Sequence, residues 1–163
     1  PDKRDGTQRD HTLNRQYSSA LFEFYDALAS DRQVQLILDG DGVMHGDRLM
    51  MRRAISNLLS NAIRHSPSGG QVNIGISQVE KQLKIEVTNK GFPIHDAHIQ
   101  RIFDRFYRVD SSRVHTDEGA GLGLAIARSI IEAHQGTVKV KSDADATCFT
   151  VALPGLIRHA SSK

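Results

Sequence analysis

The sequence predicts an α+β protein, a two-layer α/β sandwich in which helices cover one face of a mixed sheet. Three observations carry this. Apolar residues recur at helical spacing over Asp47–His65 and again from Leu122 to Ile131. Apolar and polar residues alternate in two pairs of short runs, Val72–Val79 with Leu83–Asn89 and Thr137–Lys141 with Thr147–Leu153. Helical and extended segments are interspersed along the chain. A length of 163 residues with 39% hydrophobic content suits one domain with one core. Its expected limits are residues 13–154, between a flexible segment 1–12 and a flexible tail 155–163.

In order, the chain reads as a helix near Asn14–Ala29 and a strand near Val34–Leu38. The next helix begins with Asp47 placed as N-cap, carries Leu49, Met50, Ile55, Leu58, Leu59, Ala62 and Ile63 as its apolar stripe, and closes at Ser66-Pro-Ser-Gly-Gly70. The two runs that follow are split by Glu80-Lys-Gln82, as in a hairpin. A short helix near Asp96–Phe103 leads to a charged stretch, then to a glycine-led helix that runs to His134 and ends at Gln135-Gly136. The final strand pair completes the sheet, and Pro154–Lys163 reads as a frayed tail.

Two stretches carry the chemistry. Gly119, Gly121 and Gly123 run directly into a helix N-terminus, whose unpaired N–H groups and partial positive charge attract anions. No Gly-Lys-Ser/Thr follows as in a Walker loop, so the motif fits phosphate binding or a glycine-rich helix contact equally well. In the earlier helix Asn57, Asn61 and Arg64 fall at i, i+4 and i+7 along one edge. Asparagine is a mediocre helix former. The edge is either solvated or holds Mg²⁺ through an amide oxygen with an arginine on phosphate, the oxygen-rich company that ion prefers.

Composition removes other classes. A net charge of +2, from 21 basic and 19 acidic residues, is too balanced for a nucleic-acid binder. The eight histidines are scattered with no helical His-x-x-x-His pair, and there is one cysteine, Cys148, a composition that argues against a zinc site. Cys148 is expected as a buried reduced thiol. No apolar run has the length of a membrane span or signal peptide. The chain lacks an initiator methionine and opens on a polar stretch from Pro1 to Asp10, as an excised fragment would.

The order Asn57-x-x-x-Asn61, Asn89-x-Gly91, Phe103-x-x-Phe106 and Gly119-x-Gly121-x-Gly123 resembles the catalytic ATP-binding domain of sensor histidine kinases. The likeness runs from about Val34 to Pro154 and extends to the wider superfamily of gyrase, Hsp90 and MutL. Asp104–Asp110 also resembles the metal-responsive subgroup of these sensors. The resemblance implies a Bergerat-type fold with an ATP lid, and ATP and Mg²⁺ as cofactors. It makes Asn61 the metal ligand, Arg64 a phosphate contact and His65 a neighbour of the ribose or phosphates. It also sets Ile94, Phe103, Tyr107, Ala120, Leu122 and Leu124 with the three glycines around the nucleotide. Asn57 stands where ATP-hydrolysing relatives carry a water-activating glutamate. An amide cannot take a proton as a carboxylate does, so direct hydrolysis should be slow.

The chain departs from the family pattern in three places. Asn89 replaces the aspartate that accepts from the adenine amino group, at a cost on the order of 1 kcal/mol. Pro93 replaces a glycine and stiffens the turn. Ala146 replaces the glycine that precedes the threonine, here Thr147. The lid, about Arg108–Glu118, carries Arg113 besides Arg108, with Arg105 at its approach. These arginines are expected either to neutralise phosphate charge or to belong to a solvated loop, and Arg105 and Arg108 are assigned the catalytic role. Phe103 and Phe106, three apart, are expected to anchor the lid base in the core, while Tyr107 fits either place.

The family phosphorylates a histidine on a separate helical dimerisation domain, and His11 lacks that acceptor's sequence context. The resemblance therefore implies a catalytic domain without its substrate helix. The fragment would be a monomer within a homodimeric kinase, on the cytoplasmic side of an inner-membrane sensor, with a response regulator downstream and no nucleic-acid partner. Two other readings stay open: an ATP-hydrolysing clamp, and a nucleotide-dead docking module.

Overall fold

A computed structural model describes residues 10–13, 23, 25–108 and 121–155. Its centre is a five-stranded mixed sheet in the order β2-β4-β5-β7-β6. The strands are β2 (Gln35–Gly40), β4 (Gln71–Val79), β5 (Gln82–Asn89), β6 (Thr137–Ser142) and β7 (Thr147–Pro154). The β2–β4 pair is parallel and the other three pairs are antiparallel. Alternation decides which face is covered: Val72, Ile74, Ile76, Leu83, Ile85, Val87, Phe149, Val151 and Leu153 are buried, while the residues between them are half-buried or exposed. The open face carries the Lys84–Glu86 ion pair at 2.7 Å, whose solvent exposure makes it a minor contributor to stability.

The covered face receives α1 (residues 25–31), α2 (Arg48–His65) and α4 (Gly123–Ala133). Asp47 caps α2 as expected, its side chain accepting from Met50 N at 3.0 Å. The buried stripe of α2 is Met51, Ala54, Ile55, Leu58, Leu59, Ala62 and Ile63. Leu49 and Met50 were assigned to that stripe, but the first turn projects them outward, with 74% and 42% of their surface exposed. The two helices are tied at one end by His134: Asp47 N donates to its Nε2 at 3.0 Å, and its Nδ1–H donates to Ile130 O at 2.7 Å. That bond pattern fixes the imidazole tautomer and holds the start of α2 against the end of α4.

Several boundaries differ from expectation. Two short strands, β1 (Asp10–Leu13) and β3 (Gly42–His45), pair antiparallel outside the main sheet, and neither was foreseen from alternation over four residues. The Asn14–Ala29 helix appears as α1, which ends at residue 31; residues 14–22 lie outside the described residues. The Asp96–Phe103 helix is a single turn, α3 (Asp96–Ile99), followed by turns, because Phe103 is drawn into the core rather than continuing the helix. Cys148 is half-buried on the open face of β7, not buried, since alternation gives the covered face to Thr147 and Phe149.

The β6–β7 turn yields a pH prediction. Asp143 Oδ1 accepts from Asp145 N at 2.9 Å and Ala146 N at 3.1 Å, and these two donors hold its carboxyl below the ordinary carboxylate value. A depressed folded-state value adds stability above the unfolded value, and this is lost as pH falls through the folded value. Asp143→Ala should therefore lower Tm at neutral pH, and the gap from wild type should close below about pH 4. A gap that does not change with pH would contradict this role.

Candidate nucleotide site

Asn57, Asn61 and Arg64 lie half-buried along one edge of α2, and His65, exposed, is its last residue. The start of α4 faces that edge. A Cβ placed on Gly123 would sit 3.8 Å from the Asn57 carboxamide carbon, an ordinary contact, so Gly123 is not sterically required. What matters is the helix end itself: Leu122 makes no capping side-chain bond, so the first N–H groups of α4 have no side-chain cap from it. Leu122 and Leu124 are half-buried.

The sheet contributes the floor. Asn89 ends β5 and Thr147 begins β7, and they are register partners. Their relative exposures, 3% and 6%, make them the two buried polar residues among those described. Thr147 Oγ1 lies 2.7 Å from Ser142 Oγ, which in turn accepts from Ile94 N at 2.8 Å. The Asn89 amide has no side-chain hydrogen bond to a described residue. No buried side-chain nitrogen or oxygen among the described residues lacks a hydrogen-bond partner, so the Asn89 amide atoms keep access to solvent and are open to a partner from outside the chain. Gly91 closes the corner, because a Cβ there would collide with the His65 carbonyl oxygen. This contact seats the loop after β5 against the end of α2.

Of the segment expected as the lid only Arg108 is described; residues 109–120, including Arg113, Gly119 and Ala120, lie outside the described residues. Phe106 N donates to Gly121 O at 3.1 Å, joining the described residues on either side of that segment. Both residues have positive φ, +64° and +74°. Phe106 is 69% exposed and does not anchor the core, a correction that follows from this turn of the backbone. Phe103 does anchor it, edge-on to Phe149 with ring centroids 6.0 Å apart. Tyr107, half-buried, bonds through its hydroxyl to His98 Nδ1 and lies under the Arg101 guanidinium at 4.5 Å. Arg105 and Arg108 are exposed beside it.

A Cβ at Gly121 would lie 3.1 Å from Phe106 Cα and from Tyr107 O, and its φ belongs to glycine. Gly121→Ala should therefore displace the lid base and weaken ATP binding by about tenfold, read by calorimetry. Unchanged affinity would show that this joint does not matter to the nucleotide.

Residues 46–156 match the family described as histidine kinase-, DNA gyrase B- and HSP90-like ATPases. The chain belongs to this family. It is 50% identical over 135 residues to the sensor histidine kinase CusS of Escherichia coli strain K12, covering 82% of this chain and 28% of that protein. Among solved structures it is similar to the mycobacterial sensor histidine kinase MprB, with a TM-score of 0.76, 24% identity, and coverage of 91% of this chain and 98% of that one. It also resembles the histidine kinase ThkA in its complex with the response regulator protein TrrA, with a TM-score of 0.73, 20% identity, and coverage of 90% and 42%. The chain thus spans little more than a quarter of the length of the curated relative it matches.

The residues of this family member fit a purine nucleotide: an amide at the end of β5 whose polar atoms keep access to solvent, and a helix N-terminus without a side-chain cap next to Asn57 on α2, the helix that also carries the half-buried Arg64. They also fit Mg²⁺. Among the described residues no three His, Cys, Asp or Glu side chains cluster to cage an ion. Magnesium takes oxygen ligands and keeps waters beside substrate phosphates, so the Asn61 amide oxygen with the phosphates is the site that would hold it. Ser142 was missed by the sequence reading; the hairpin register that pairs it with Thr147 was the signal that could have found it. His98 gave no signal, since its tie to Tyr107 arises only from the turns after α3. No helix among the described residues is long and apolar enough to cross a membrane.

Proposed function

We propose that this chain is the ATP-binding catalytic domain of a two-component sensor histidine kinase, transferring the γ-phosphoryl of Mg·ATP to a histidine on a separate dimerisation domain. The observation that carries the proposal is the pairing of Asn89 with Thr147 as the two buried polar residues described, at the end of the sheet where Gly91 packs against the last residue of α2. Asn89 and Thr147 bind the edge of the base. Asn61 holds the metal, and Arg64 with the α4 N-terminus takes the phosphates. Bound Mg²⁺ supplies charge neutralisation on those phosphates. Arg105 and Arg108, at the lid base, follow the transferring group as its charge spreads.

Asn57 distinguishes transfer from hydrolysis. A carboxamide faces the start of α4 at the position where a general base for water would be useful, and it cannot accept a proton. Catalysis is then placement of the phosphates, with nucleophile and base supplied by the acceptor domain. In the whole protein we place this domain on the cytoplasmic side of the inner membrane, in a homodimer that passes phosphate to a response regulator. The metal-responsive subgroup suggested by Asp104–Asp110 belongs to the same proposal.

The test is to mix the chain with the separately purified histidine-bearing domain and γ-labelled ATP. The expected result is acid-labile, alkali-stable label on that domain, with slow phosphate release by the chain alone. Rapid phosphate release without label on the acceptor would replace the kinase reading with that of an ATPase clamp.

A further inference from the structure

The buried polar groups at the floor of the cleft carry no fixed charge, and each can act as donor or acceptor. Asn89 presents a carbonyl oxygen and an amino group of nearly equal size, which exchange places when the carboxamide turns over about its last torsion. No hydrogen bond to a described residue sets its direction. Thr147 Oγ1 and Ser142 Oγ, 2.7 Å apart, can each be the donor in their shared bond. Among the described residues no charged side chain is buried with them.

A purine with a 6-amino group offers a donor at C6 and an acceptor at N1. A 6-oxopurine offers the reverse, an acceptor at C6 and an N1–H donor. In one orientation the Asn89 oxygen accepts from the 6-amino group while its nitrogen donates to N1. In the other orientation the nitrogen donates to the 6-oxo group and the oxygen accepts from N1–H. A carboxylate at this position has acceptors alone and would set oxygen against oxygen at C6.

Resting on the nucleotide-site reading above, we infer that this pocket takes 6-oxopurine nucleoside triphosphates as well as 6-aminopurine ones, and that Asn89 is the residue that permits both. The replacement of aspartate by asparagine then widens base specificity rather than simply weakening ATP binding.

Calorimetric titration of the purified chain with ATP and with inosine triphosphate, both with Mg²⁺, tests this. Inosine carries the 6-oxo group without the 2-amino group of guanine, so crowding at C2 does not enter. Wild type should bind both with dissociation constants within about tenfold of each other. Asn89→Asp should retain ATP and disfavour inosine triphosphate by about 100-fold or more, since an unpaired acceptor faces the 6-oxo group. A wild-type preference for ATP beyond about tenfold, or an Asn89→Asp variant no more selective than wild type, would overturn the inference. If Asn89→Asp does not fold, the wild-type ratio decides alone. Failure of wild type to bind ATP at all would instead overturn the nucleotide site, and the inference with it.

Discussion

Asn61→Ala is expected to keep the fold and lose at least about 100-fold in phosphoryl transfer to the acceptor domain. Asn61 is half-buried on the α2 edge, one turn from Asn57 and three residues before Arg64, and does not belong to the buried stripe of the helix. Replacing it removes an amide oxygen without opening a core cavity, so the thermal transition should move little. The transfer step depends on that oxygen if it is the protein's contribution to the metal. Binding to the base should survive, because Asn89 and Thr147 lie on the sheet and not on α2. ATP binding at the Mg²⁺-free affinity, with transfer lost, is therefore the expected pattern. Undiminished transfer by a folded Asn61→Ala variant would remove Asn61 from the metal site.

Phe149→Ala is expected to have the largest effect on stability, about 3–5 kcal/mol. Phe149 is fully buried near the start of β7, with Val87 as its register partner on one side and Val140 on the other. A domain of this size has about 5–15 kcal/mol in total, so the loss should lower Tm on the order of 10 °C. Its ring also meets Phe103 edge-on, which connects the core to the segment that enters the lid. The variant should bind ATP more weakly than its stability loss alone implies at temperatures where it stays folded. A drop in Tm of a degree or two would mean that neighbouring side chains refill the space.

Strong periodicity made most of the fold legible. Helical spacing of Ile55, Leu58, Leu59, Ala62 and Ile63 in α2, and alternation in β5, β7 and most of β4, place those elements to within a residue or two. The first turn of α2 misled, because helical spacing alone does not tell Leu49 from Met51; the sheet below α2 chooses Met51. β1 and β3 escaped because four-residue strands that pair with each other leave too little pattern to read. In the candidate site, Asn57, Asn61, Asn89 and Thr147 are named from spacing and resemblance together; the fold pairs Asn89 with Thr147 and sets Asn57 against the start of α4. Phe106 was misplaced because two phenylalanines three apart suggest one helical face, whereas the backbone turns through positive φ between them and the glycine loop. The bond from the Ile94 amide to the Ser142 hydroxyl, 48 residues apart, is a tertiary contact that no local pattern announces.

The central claim is that the uncharged floor at Asn89 and Thr147 and the α2 edge form one nucleotide pocket. Calorimetric titration of the purified chain with ATP, with and without Mg²⁺, tests it most directly. Saturable binding that strengthens with Mg²⁺ in wild type, and loses that Mg²⁺ dependence in Asn61→Ala, is the predicted result. No detectable heat at millimolar ATP would contradict the claim, and would leave the chain as a module that docks on partner helices without nucleotide.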